Sequence, residues 1–97
     1  MNRKDVLTKL KQHRQEFEAL GVEHLCLFGS VAREENTRGS DVDVMAVFQP
    51  KARPGLKVVH LHRRLEEILG GPVDLIRAPV KNNGLQHSIS EEGVYAF

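Results

Sequence analysis

One cysteine, one tyrosine, no tryptophan and only four prolines occur in this 97-residue chain. The lone Cys26 excludes an intramolecular disulfide and any cysteine-based metal cluster. Its place in the apolar run LCLF suits a buried, inert thiol. No apolar stretch approaches the length of a membrane span. The basic start MNRKDVLTKLKQHRQEF is not followed by an apolar core or a small-residue cleavage site, so a secretory signal is unsupported and the expected location is the cytoplasm. Neither charge sign dominates: 14 Lys and Arg against 13 Asp and Glu leave a net +1, and direct nucleic-acid binding is not indicated. The length suits one compact domain over residues 1–97 and is short for a catalytic domain plus a recognition domain, which predicts that whatever the chain acts on is recognised with the help of another molecule.

What the chain does contain is apolar periodicity broken by clear stop signals. Val6, Leu7, Leu10, Phe17 and Leu20 recur at helical intervals and predict one amphipathic helix over residues 4–20, stopped by Gly21. Val22–Phe28 reads as a strand running into the turn Gly29-Ser30, with Ser30 capping a short helix through Glu35. Val42–Phe48 is almost continuously apolar and predicts a central strand covered on both faces. Gln49–Gly55 reads as a loop. Leu61, Leu65, Ile68 and Leu69 give a second helical face ended by Gly70-Gly71-Pro72, then a strand over Val73–Ile76 and a last helix over Leu85–Glu92. The order predicts an α/β fold, a small mixed sheet flanked by helices.

The segment GSVAREENTRGSDVDV, residues 29–44, carries the chemistry. A glycine between strand and helix lets the backbone approach a ligand closely, and Ser30 with the free N–H groups of the helix start suits phosphate oxygens. Asp41 and Asp43 are two apart at a strand start, so both carboxylates project from one face. Oxygen-only donors with few protein contacts suit Mg²⁺, which keeps waters and takes substrate phosphates as ligands. Asp74 interrupts the apolar run VDLI, where an ionised carboxylate is costly unless paired, coordinated or turned outward. If its strand lies beside Asp43, three acids cluster as metal-assisted nucleotidyl transfer requires.

Gly29-Ser30, Arg33, Ser40-Asp41, Asp43 and Asp74 together resemble the nucleotidyltransferases of the DNA polymerase beta superfamily, most closely its minimal single-domain branch, over residues 3–97. The resemblance implies a polymerase-beta-like core. It implies that Gly29, Ser30, Arg33 and Ser40 serve the nucleotide, with Arg33 supporting the loop or the phosphates, and that Asp41, Asp43 and Asp74 serve as metal ligands and catalytic residues, Asp74 helping to activate the acceptor hydroxyl. Two Mg²⁺ ions, ATP or another NTP as substrate, and transfer of NMP to a hydroxyl of a partner protein follow from it. Minimal members resembling this one are often paired with a helical HEPN-domain toxin that they neutralise by attaching AMP to a tyrosine. Two positions depart from the common pattern: Glu34 stands where glycine often follows the arginine, and Val44 where leucine often follows the second aspartate.

A non-catalytic nucleotide- or metal-binding module could neutralise a partner by occlusion, and clustered carboxylates also serve metal-dependent hydrolysis. Asp74 could pair structurally with Arg77. His60 and His62 are two apart on a helix and do not share a face, so they chelate poorly and read as solvated. His13 lies in line with the apolar face of the first helix, while His24 and His87 carry no signal. Arg38, Lys51 and Arg53 read as solubilising surface charge.

Overall fold

The computed structural model describes residues 2–37 and 39–97. The side chain of Asn2 accepts the Asp5 backbone N–H at 2.8 Å and starts α1, Arg3–Gln12. The expected single helix is two, because the chain breaks at His13 before α2, Arg14–Ala19. In a straight helix positions 13 and 14 would fall on the line of Val6, Leu10 and Phe17 and drive two polar side chains into the core. The break turns them out. His13 meets Glu16 at 3.5 Å and the Arg14 guanidinium lies 5.1 Å above the Phe97 ring, while Phe17 stays fully buried.

The strand β1, Val22–Phe28, matches its expected bounds, as does β2, Val42–Phe48. Between them α3 spans only Gly29–Ala32. Its cap position is Phe28, without a side-chain cap bond, so Ser30 lies inside the turn rather than capping it. The helix α4, Lys57–Leu69, ends at Gly70, whose φ of 75° is the left-handed cap glycine tolerates best. β3, Val73–Arg77, α5, Asn83–Glu92, and a two-residue β4, Val94–Tyr95, complete the chain. β4 has no sequence signal of its own, being too short for periodicity to register.

The sheet is mixed, in the order β3-β2-β1-β4, with β2 and β3 parallel and the other pairs antiparallel. β2 is interior, as its continuous apolar run requires. One face packs Leu25, Leu27, Val44 and Ala46 against Val6, Leu10, Phe17, Leu61 and Leu65 from α1, α2 and α4. Each fully buried leucine there contributes about 2 kcal/mol. The other face buries a smaller cluster, Cys26, Phe28, Met45 and Ile89, under α5. Cys26 is fully buried and its thiol is pushed above its ordinary pKa by that burial, as an inert side chain would be. Among the described residues no helix is long and apolar enough to cross a membrane.

Candidate active site

Alternation along β2 puts Val42, Val44 and Ala46 toward the larger core and Asp43 on the opposite face with Met45. Asp43 stands at the beginning of its strand, opposite Phe28 at the end of β1 and beside Asp74 at the beginning of β3. In parallel strands register partners share a face about 4.8 Å apart, so the two carboxylates are neighbours. Asp41 lies just before the strand and is exposed, as is Asp74, while Asp43 is half-buried. No ion pair joins Asp74 to Arg77 among the described residues; the Arg77 guanidinium lies 5.6 Å over the Phe48 ring instead.

The register of Asp74 depends on α4. The Val73 N–H donates to Glu66 Oε2 at 3.2 Å, and His62 Nε2 donates to the Val73 carbonyl at 2.6 Å. Thus His62 is not merely solvated: it pins the residue before Asp74. The Val42 N–H donates to the Pro72 carbonyl at 3.2 Å, fixing the starts of β2 and β3 to one another. None of these three contacts leaves a trace in sequence spacing.

Gly29 makes the closest approach. Its φ is 76°, and a Cβ placed there would stand 2.1 Å from Asp43 Oδ2. Only glycine both adopts that backbone and lets the carboxylate lie against the turn. Backbone bonds from Arg33 to Gly29 and from Glu35 to Ser30, at 3.1 and 2.8 Å, close the turn. Arg3 of α1 donates to the Ala32 carbonyl at 3.2 Å and meets Glu34 at 3.4 Å. Glu34 has φ 60°, the left-handed region, which is the physical reason glycine suits that position.

Arg33 faces Glu92 of α5 at 2.8 Å and Glu35 at 3.1 Å. These two carboxylates raise its already high pKa, and the guanidinium ties the turn to α5. Ser40 is likewise engaged locally: its Oγ accepts the Thr37 N–H at 3.0 Å. Arg38 lies outside the described residues.

Electrostatics single out Asp43. Burial raises its pKa first, then the charges of Asp74 and Asp41, then a hydrogen bond with Asp74; the Arg33 charge opposes these only in part. Crowded carboxylates with a net repulsion and oxygen-only donors fit a divalent cation, whose charge would relieve that repulsion. Among the described residues no three His, Cys, Asp or Glu side chains are already arranged to hold a metal ion.

The family model for polymerase beta, nucleotidyltransferase, matches residues 8–97. A Methanocaldococcus jannaschii chain assigned as a protein adenylyltransferase is 37% identical over 93 residues, 95% of this chain and 92% of its own. The protein adenylyltransferase MntA of Thermococcus cleftensis is 34% identical over 87 residues, 89% of this chain and 87% of its own. The solved structure of a tri-AMPylated Shewanella oneidensis HEPN toxin in complex with MNT antitoxin shares the fold, with a TM-score of 0.57 at 17% identity over 90% of this chain and 71% of that one. With residues 8–97 matched by the family model and a relative 37% identical over 95% of its length, the chain belongs to the polymerase beta nucleotidyltransferase family.

Proposed function

We propose that this minimal nucleotidyltransferase transfers AMP from ATP to a hydroxyl of a helical HEPN-type partner protein, as the antitoxin of a toxin–antitoxin pair. The observation that carries the reading is the apposition of the Gly29 turn to Asp43, which has Asp41 and Asp74 for neighbours. The adenylyltransferase assignment of the relatives and the AMPylated toxin bound to the MNT antitoxin support it. A single domain over residues 1–97 acting in the cytoplasm belongs to the same reading.

The N–H groups of the turn and Ser30 hold the triphosphate, and Arg33 keeps that turn rigid against α5. Asp41, Asp43 and Asp74 would hold two Mg²⁺ ions, which when bound neutralise phosphate charge and steady the attacking and leaving oxygens. Asp74 takes the proton of the acceptor hydroxyl. The acceptor oxygen then bonds to the α-phosphorus, the bond to the bridging oxygen breaks, and pyrophosphate leaves. Ser40 sets the loop that delivers Asp41.

The rival reading is a module that silences its partner by occlusion. One experiment separates the two. The chain and its helical partner are incubated with α-labelled ATP and Mg²⁺, beside the Asp41→Ala/Asp43→Ala double variant, and label is followed by intact mass. Transfer by wild type, reduced at least about a thousandfold in the variant, is expected. A tight complex with both forms and no label on the partner would establish occlusion.

A further inference from the structure

A second surface, remote from the carboxylates, has the makings of a docking site. No acidic residue stands between Asp43 and Glu66, while Lys51, Arg53, Lys57, Arg63 and Arg64 all fall in that interval. Of these Arg64 is neutralised by Glu16 and Glu67. Among the described residues the other four form no ion pair, and all four are exposed. Leu56 and Val59 stand among them, 86% and 57% exposed.

Helical spacing stacks Leu56, Val59 and Arg63 on one face of α4, opposite the buried Leu61, Leu65 and Leu69. Beside this stripe the loop leading into α4 borders a cavity of about 400 Å³ walled by Phe48, Pro50, Pro54 and Arg77. The surface thus combines an apolar ridge, an apolar recess and unneutralised positive charge. It adjoins the end of β2, whereas Asp43 is at the beginning, about 17 Å away along the strand. A molecule seated there leaves the carboxylates open.

We propose that this face of α4 and its leading loop dock an acidic amphipathic helix of a partner protein. The exposed ridge supplies the i, i+3 and i+7 pattern on which a second helix packs, and the flanking cations select glutamate- and aspartate-rich neighbours. Nucleic acid is a poorer fit, since two aliphatic side chains occupy the centre where stacking or phosphate-binding groups would be needed. The proposal does not depend on the transfer reaction.

The test uses a fluorescein-labelled acidic peptide of Glu, Leu and Ala heptads about 20 residues long, enough for a helix, with an oligouridylate of equal length beside it. Fluorescence anisotropy is measured on wild type, Leu56→Ser/Val59→Ser and Lys57→Glu/Arg63→Glu, all checked for folding by circular dichroism. Peptide binding by wild type, weakened at least about tenfold in both variants with ATP binding unchanged, is expected. Absent peptide binding, equal binding by all three forms, or binding of the oligouridylate in its place would overturn the proposal. So would self-association of wild type in sedimentation that either variant abolishes, which would make a second copy the occupant.

Discussion

The two faces of the four-stranded sheet use the same strands for opposite ends. Toward α1, α2 and α4, alternate residues of β1 and β2 are wholly apolar and buried. Toward α5 the buried cluster has four members, and the strand positions next in line carry Asp43 and Asp74. The first face gains free energy by removing carbon from water. The second holds carboxylates in a costly neighbourhood, since burial and two adjacent acids all oppose the ionisation of Asp43. Substitutions on the first face should therefore change stability, and substitutions on the second should change chemistry at little or no cost to the fold.

The largest effect that would sharpen this contrast belongs to the packed face. Leu65→Ala removes a fully buried side chain and should cost about 3 kcal/mol in urea unfolding, a large share of the stability of a small domain. At a temperature where the variant remains folded, its AMP transfer should be near wild type. Next comes Gly29→Ala, at the boundary of the two regimes. It forces a Cβ into Asp43 and a side chain into the left-handed region, so transfer should fall roughly a hundredfold while stability drops by about 1–2 kcal/mol. Full activity in that variant would contradict the tight apposition of turn and carboxylate. The smallest of the three is Glu34→Gly, which relieves the left-handed strain and forfeits an exposed pair with Arg3. It should raise stability by about 0.5–1 kcal/mol with transfer unchanged, read by thermal unfolding and intact mass.

Much of this arrangement is legible in the sequence, where apolar patterning dominates. The continuous run of β2 and the leucine spacing of α4 locate their elements because burial on two faces, or on one helical stripe, dictates composition. Gly29, Asp41 and Asp43 are legible because their chemistry is local. Contacts between distant residues are not: the Arg33–Glu92 bond and the pinning of Val73 by His62 and Glu66 join separate elements and follow no spacing rule. The break at His13 is visible only once the polarity of positions 13 and 14 is set against the apolar line they interrupt. The near-zero net charge conceals the acid-free interval from Val44 to Leu65, because a sum over the chain erases position.

The central claim, that the carboxylate face works against the fold until a cation arrives, rests most directly on the melting temperature of wild type and Asp43→Asn with and without Mg²⁺. A raised pKa means that the native state holds this proton more tightly than the unfolded chain, so the contribution of Asp43 to stability falls as pH climbs from the ordinary carboxylate value through the raised one. At neutral pH without metal, Asp43→Asn should melt higher than wild type, and the gap should close as the pH is lowered until Asp43 is protonated. Mg²⁺ should then raise the melting temperature of wild type and leave the variant nearly unmoved. A variant less stable than wild type at neutral pH, or an equal response of both to Mg²⁺, would contradict the account.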